Sequence, residues 1–184
     1  QINPQKYTDF FRSFLESGRD IMFIGLSSGV SGSFSSETIA REQLAEEFPE
    51  RKIELIDSLG ARLGEGLHVL RAAGCRKDGM SFEETADEVR KHIPKMYQVF
   101  TVDDLMHLKR TGRLSNLSAT VGTVLGIKPM LKGNGEGKIV SFGKVRGRAK
   151  IIAALAEKYR ELAVNPQSQT VGISYADCRE DAER

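Results

Sequence analysis

The sequence predicts an α/β protein of two domains, a parallel-sheet α/β domain over residues 1–94 and an α+β domain with antiparallel strands over residues 95–184. Short apolar strands alternate with helical stretches in the first half, as in βαβ units. The stretch DIMFIGL (20–26) is apolar enough to be buried on both faces, which is typical of a parallel strand. In the second half, the turn GNGEG separates two apolar strands and predicts a hairpin.

The first half begins with a helix, because Asn3 and Pro4 suit an N-cap and a first helical position and Gly18 suits a stop. Ser81 and Glu84 form a capping box that opens a later helix. The predicted elements after the first helix are a strand at 20–26, a helix to about Phe48, a strand at 52–58, a helix at 63–76 and a helix from 81 to about 92. This order predicts a sheet covered by helices, with the domain boundary between residues 93 and 96.

The second half mixes strands and helices without the βαβ rhythm. The predicted elements are a strand at 95–102, helices at 103–112 and 115–125, a hairpin at 127–145, a helix at 147–163, a strand at 170–176 and a helix beginning at 177. The opening QINP leads straight into a helix and the closing ADCREDAER is a helix barely begun. Both ends therefore look truncated, and we expect a longer chain with functional residues outside this one.

Composition excludes several classes of function. A net charge of +2 gives no global electrostatic reason to bind nucleic acid. No apolar run approaches the roughly 20 residues of a membrane-spanning helix, and no signal peptide is visible. Cys75 and Cys178 fit no metal spacing, and with three histidines a zinc site is not expected. Reduced thiols predict a cytoplasmic protein.

The most informative segment is SSGVSGS, residues 27–33, called the serine turn below. It follows an apolar strand and precedes a helix, whose first amides lack internal acceptors and carry partial positive charge. Glycines allow a ligand to approach the backbone, and hydroxyls donate to anionic oxygens. The turn therefore predicts a carboxylate or phosphate site, although a single serine such as Ser31 or Ser33 is more often a helix cap. It matches neither a P-loop nor a nucleophile elbow.

Four motifs in order resemble the DegV family, the bacterial fatty-acid-binding proteins that include the FakB subunit of fatty acid kinase. The motifs are LSSGVSGSFSS, IDS at 56–58, VDDLMHLKRTGRLS, and IKPMLKGNGEGKI with KVRGRAK. Together they extend the resemblance over essentially all 184 residues. It implies a two-domain fold with a long-chain fatty acid in a tunnel between the domains. A separate kinase subunit would phosphorylate the carboxylate, so the chain itself would have no catalytic residues, no metal and no cofactor.

The resemblance also implies site residues. Ser31 matches the serine that holds the acyl carboxylate, and the rest of the implied ligand set is Ser27, Ser28, Gly32 and Arg113. Arg146 matches a basic residue that engages the kinase, with Arg148 beside it as a second docking residue. The family's upstream threonine and C-terminal histidine have no counterpart here. The implied partners are a long-chain fatty acid and the kinase subunit, with no nucleic acid and room for peripheral or transient membrane contact.

Physical chemistry is compatible with this role. Each buried methylene contributes about 0.8 kcal/mol, so a tail of about sixteen carbons contributes on the order of 10 kcal/mol. The carboxylate then needs only enough donors to offset its desolvation. Acyl-chain length and saturation depend on tunnel shape and are not readable from the sequence.

Other interpretations stay open. The serine turn would also suit an enzyme or binding module for a phosphorylated small molecule. The basic segment KVRGRAK would suit a regulatory protein that binds nucleic acid. Asp103 and Asp104 are better explained by a helix start than by a metal. Arg110 and Arg113 are expected to pair with these aspartates more than to contact a ligand.

Overall fold

The computed structural model describes residues 2–114 and 126–184, and the helix predicted at 115–125 lies outside them. The chain divides into two compact units. The first comprises Gln1–Met96 with Gly135–Gly137, and the second comprises Tyr97–Asn134 with Lys138–Arg184. The predicted α/β class, with one parallel and one antiparallel sheet, is confirmed.

The first unit contains four α-helices and two strands among its described residues. In chain order they are α1 (Pro4–Leu15), β1 (Ile21–Gly25), α2 (Ser33–Glu47), β2 (Ile53–Asp57), α3 (Leu63–Lys77) and α4 (Phe82–His92), followed by a 3₁₀ turn at Ile93–Lys95. Asn3 caps α1 by accepting from the Lys6 amide at 3.0 Å. Ser81 and Glu84 form the predicted capping box of α4. The N-terminal signals of these two helices were therefore interpreted correctly.

The strands β1 and β2 pair in parallel, from Ile21 opposite Ile53 to Gly25 opposite Asp57. Alternate residues of a strand face opposite sides of the sheet, so this pair serves two cores. Ile21 and Ile53 pack with Phe11 and Leu44 of α1 and α2. The second core, on the other side, consists of Ile24, Ile56, Ala86 and Val89. The first unit thus has helices on both faces of a parallel sheet, with the carboxyl ends of β1 and β2 side by side.

The second unit is built on a three-stranded antiparallel sheet in the order β3 (Val99–Phe100), β4 (Ile127–Gly133) and β5 (Ile139–Arg146). Its described helices are α5 (Leu105–Arg110), α6 (Arg148–Leu162) and α7 (Arg179–Glu183), with a 3₁₀ turn at Pro166–Ser168. The predicted hairpin is confirmed, with a register irregularity between Met130 and Leu131. Leu131 and Ile151 are fully buried and hold α6 on the sheet.

Two strand predictions differ from the structure. The strand expected at 95–102 is reduced to Val99–Phe100, because the 3₁₀ turn includes Lys95 and only these two residues pair with β4. The segment 170–176 forms no strand, and its apolar side chains Val171, Ile173 and Tyr175 are 53%, 66% and 50% exposed. A strand requires a partner for its backbone groups, and this segment pairs with no strand among the described residues.

Candidate functional site

The candidate site lies at the carboxyl ends of β1 and β2, where the serine turn and the loop after Asp57 meet. The Ser58 amide donates to the Gly25 carbonyl at 3.2 Å, and the Ser27 amide donates to the Gly60 carbonyl at 2.9 Å. These bonds extend the strand pairing into the two loops. Ligands of open α/β sheets bind at this edge, so the fold places the serine turn where a site is expected.

Ser27 shapes the turn from inside. Its side chain is 1% exposed, and its hydroxyl donates to the Gly137 carbonyl at 2.8 Å while accepting from the Gly29 amide at 3.1 Å. Gly137 has a φ of +67°, and a Cβ added there would collide with the Ser27 hydroxyl. The single hydroxyl proton of Ser27 is thus committed to a carbonyl, which leaves the other serines to face a ligand.

A carboxylate already occupies part of the turn. The Asp57 side chain accepts from the Ser28 amide at 3.2 Å and from the Leu59 amide at 3.0 Å. Its negative charge offsets part of the positive potential at the start of α2. A second, doubly charged anion would be repelled more strongly than a singly charged one. Asp57 therefore disfavours a phosphate more than a fatty-acid carboxylate.

Ser31 and Ser33 form a hydroxyl pair at the start of α2. Their oxygens are 3.1 Å apart, and the Ser31 hydroxyl also accepts from the Ser33 amide at 3.2 Å. Ser31 is half-buried and Ser33 is buried. The N-cap position of α2 is Gly32, which has no side-chain capping bond. Ser31 is accordingly not a standard N-cap, although it binds one amide of the first turn.

Glu37 lies one helical turn beyond Ser33 and is 1% exposed. Burial is the largest influence on the Glu37 carboxyl and raises its pKa. The hydroxyls of Tyr7 and Ser33, acting as donors, lower this pKa, whereas the charges of Glu65 and Asp57 raise it, and the pKa of Glu37 stays above its usual value. Burial, followed by the charge of Glu37, raises the pKa of Tyr7 to about 12. The sequence prediction missed Glu37, although its i, i+4 spacing from Ser33 puts the two on one helix face.

The three predicted arginines lie in the second unit, whereas the four predicted turn residues, Ser27, Ser28, Ser31 and Gly32, lie together in the first. Arg113 donates to the Thr111 carbonyl at 2.7 Å. Arg148 pairs with Asp181 at 2.7 Å and with Asp103 at 3.1 Å. Arg146 is exposed and forms no ion pair with any residue of 2–114 or 126–184.

The aspartates of VDDLMHL are explained by these ion pairs. Asp103 also pairs with Lys128 at 2.6 Å, and the hydrogen bond from Lys128 is the largest cause that lowers the pKa of Asp103. Asp104 accepts from the Met106 amide at 2.8 Å and pairs with Arg110 at 3.4 Å. The prediction that Arg110 pairs with an aspartate is therefore confirmed. Within the described ranges, no three His, Cys, Asp or Glu side chains are grouped to hold a metal ion.

A cavity of about 250 Å³ lies on the first unit beside α2 and β2. Phe34 and Leu55 give it apolar walls, but the charged side chains of Arg41 and Glu54 also line it. It is therefore not a simple apolar channel. Of the helices that the structure describes, none has the length and apolar character needed to cross a bilayer.

Comparison with known proteins assigns a family. The model of the DegV family of uncharacterised proteins matches residues 1–184. A DegV domain-containing protein of Clostridium perfringens is 40% identical over 183 residues, which cover 100% of this chain and 63% of that protein. The chain thus spans less than two thirds of the length of this curated relative.

Two solved structures resemble the fold. A DegV-family protein of Ruminococcus gnavus, refined with vaccenic acid, is 27% identical with a TM-score of 0.87, covering 98% of this chain and 63% of that one. A fatty-acid-binding DegV-family protein of Streptococcus agalactiae is 30% identical with a TM-score of 0.81, covering 100% of this chain and 63% of that one.

Proposed function

The chain belongs to the DegV family, and on that premise we propose that it binds a long-chain fatty acid whose carboxylate is held at the serine turn. The observation that carries the proposal is the cluster of hydroxyls and amides at the carboxyl end of β1, in a chain whose relatives are fatty-acid-binding proteins. Ser31 contributes the principal hydroxyl, with Ser28 and Gly32 beside it and Arg113 as a further ligand residue.

The acyl tail supplies the affinity and the head group supplies the orientation. Burial of about sixteen carbons contributes on the order of 10 kcal/mol, part of which is offset by lost freedom of the tail. The carboxylate needs hydrogen-bond donors that compensate its removal from water. A half-buried hydroxyl at the start of a helix meets that need, and Asp57 disfavours a singly charged ligand less than a doubly charged one.

The proposal extends to a partner. The chain would be the binding subunit that presents the carboxylate to a separate fatty acid kinase subunit, which forms the acyl-phosphate. Arg146 supports this part, because it is an exposed cation that forms no ion pair within the described parts of the chain and is available to an acidic partner surface. Arg148 is a weaker docking residue, since Asp103 and Asp181 already pair with it. We expect the phosphorylation of the fatty acid to take place in the cytoplasm.

Native mass spectrometry of the purified protein tests the proposal. We expect a fatty acid to co-purify, and added palmitic acid to rebind after the protein is stripped of lipid. A protein that carries no fatty acid and binds none on addition would contradict the proposal.

The same preparation separates the alternative, a site for a phosphorylated small molecule. Inorganic phosphate at millimolar concentration should leave palmitic acid binding unchanged if Asp57 disfavours doubly charged anions as proposed. Tight phosphate binding that displaces palmitic acid would favour the alternative.

A further inference from the structure

Glu37 is a buried acid for which the function proposed above gives no role. Its side chain is 1% exposed, and its carboxyl lies against Gly25, the last residue of β1, where an added Cβ would meet Glu37 Cδ at 3.2 Å. Among the residues that the structure describes, Oε2 of this carboxyl has no hydrogen-bond partner. A charged carboxylate with an unpaired oxygen is costly in such a place, whereas a neutral carboxylic acid is tolerated.

A chain of hydroxyls connects Glu37 to the proposed ligand site. Ser33 lies one helical turn before Glu37 on the same face of α2, and its hydroxyl influences the Glu37 carboxyl. The Ser33 hydroxyl oxygen is 3.1 Å from that of Ser31. The Ser31 oxygen also accepts from the Ser33 amide. Each hydroxyl has one proton to donate and two lone pairs, and it rotates to suit its neighbours. Whether Ser33 donates to Ser31 or accepts from it therefore depends on whether the Glu37 carboxyl is a donor or an acceptor.

The two protonation states of Glu37 give opposite directions. An ionised Glu37 accepts from Ser33, so Ser31 donates to Ser33 and presents only a lone pair to the ligand. A protonated Glu37 donates to Ser33, Ser33 donates to Ser31, and the Ser31 proton is free to point at an anion. Only the second arrangement suits a carboxylate ligand and fills both lone pairs of Ser31.

We propose that Glu37 is a positioning residue whose protonated carboxyl turns the Ser31 hydroxyl into a donor toward the ligand, so that fatty-acid binding requires one proton on Glu37. The inference rests on the proposed function, and the proton comes from solvent. The site would thus release its fatty acid more readily as the pH rises.

The surroundings of Glu37 favour the protonated form. The titratable groups that face it are Tyr7 of α1, Glu65 of α3 and Asp57 at the end of β2, and β1 contributes only Gly25. Burial raises the pKa of Glu37 most, and both acids raise it further, which together outweigh the lowering effect of the Tyr7 and Ser33 hydroxyls. A bound carboxylate adds one more negative charge and strengthens the preference for a proton.

Titration calorimetry with palmitic acid between about pH 6 and about pH 9 tests the inference, with the ligand kept below the concentration at which it aggregates so that its carboxyl stays ionised. The wild-type affinity should fall as the pH rises through the pKa of Glu37, by up to about tenfold per pH unit. Glu37→Gln, whose amide does not titrate and has an NH2 group that can donate to Ser33, should bind within about threefold of wild type at the acid end and show no such fall. Glu42→Gln, an exposed change on the same helix, should keep the wild-type profile.

A second measurement needs no variant. Calorimetry of the wild type in two buffers of different ionisation enthalpy should detect proton uptake on binding, approaching one proton at the alkaline end. No uptake at any pH would overturn the inference, as would a Glu37→Gln protein that is folded yet keeps the wild-type pH dependence. In both cases palmitic acid still binds, so the proposed function survives. Failure of the wild type to bind palmitic acid at every pH would instead remove the proposed function.

Discussion

At the scale of single residues, two buried titratable groups of the first unit sit in unusual surroundings. Glu37 lies one helical turn beyond Ser33, whose hydroxyl contacts that of Ser31, the proposed ligand residue. His68 on α3 is fully buried, and neither of its ring nitrogens has a hydrogen-bond partner among the described residues. Its ring lies edge-on to that of His92, with the centroids 5.5 Å apart. Burial, followed by the charges of His92 and Arg71, lowers the pKa of His68.

His68 should make the protein sensitive to acid. Because its folded-state pKa lies below the unfolded value of about 6.5, neutral His68 is compatible with the fold above that pH. Stability is lost as the pH falls from there through the folded-state pKa, since the unfolded chain takes up the proton more readily. His68→Phe keeps a ring without titrating, so its melting temperature should decline less than that of wild type between about pH 7 and about pH 5.

Thermal melts followed by circular dichroism measure this difference. The melting temperatures of the variant and the wild type at about pH 8 are the reference values, since His68 is neutral in the folded and the unfolded state at that pH. Parallel decline of the two proteins toward acid pH would show that His68 does not control acid stability.

At this scale, the serine cluster could be predicted from the sequence, because its small and polar residues stand between an apolar strand and a helix. It did not reveal that the Ser27 hydroxyl is consumed by the Gly137 carbonyl, 110 residues away in the chain. It likewise did not reveal that Asp57 binds the Ser28 amide, although the IDS motif was noticed. Both contacts depend on how distant segments fold together, which local patterns do not encode.

At the scale of elements, the predictions that the structure confirms are those that depend only on the residues of the segment concerned. An apolar run bounded by turns predicted β1 and β2, and turn chemistry predicted the β4–β5 hairpin. The prediction at 170–176 failed because a strand also needs a neighbour, and the described residues supply none. Helix starts were predicted well where a side chain bonds the first-turn amides, as at Asn3 and Ser81.

The contact of Gly135–Gly137 with the serine turn gives a prediction about the hairpin tip. Gly137→Ala would place a Cβ against the Ser27 hydroxyl and 3.1 Å from the Leu59 Cα, in backbone of positive φ. Gly79→Ala is the matched control, since Gly79 has a φ of +85° but open space around it. The control should cost about 1–2 kcal/mol of unfolding free energy, from backbone strain alone.

Gly137→Ala should cost clearly more than the control and should also weaken palmitic acid binding, because the turn must shift. Urea unfolding and a binding titration measure the two effects. Equal losses in the two variants would mean that the tip does not constrain the serine turn.

At the scale of the whole molecule, the chain spans 63% of the curated relative's length. In this account the serine turn that holds the carboxylate is in the first unit, whereas the docking residue Arg146 is in the second. We therefore expect substitutions in the serine turn to impair fatty-acid binding, and substitution of Arg146 to impair docking alone. The resemblance of ordered motifs supplied the ligand class, whereas the two-domain prediction came from the change of the βαβ rhythm to a hairpin.

Arg146→Ala should keep the wild-type affinity for palmitic acid and reduce acyl-phosphate formation by the kinase subunit about tenfold, the effect of losing one favourable charged contact. Lys150→Ala, an exposed change near the start of α6, is the control and should have little effect. Phosphate incorporation at fixed kinase concentration measures the outcome. Loss of palmitic acid binding in Arg146→Ala would show that the docking role is wrongly assigned.

The most direct measurement of the central claim is the affinity of Ser31→Ala for palmitic acid, compared with Ser35→Ala, which changes an exposed serine in the first turn of α2. Loss of a hydrogen bond to a charged group should weaken binding about 10-fold to 100-fold in Ser31→Ala. Ser35→Ala should bind as wild type, and both variants should melt within a few degrees of it. A folded Ser31→Ala protein that binds palmitic acid as tightly as wild type would contradict the claim that the serine turn holds the carboxylate.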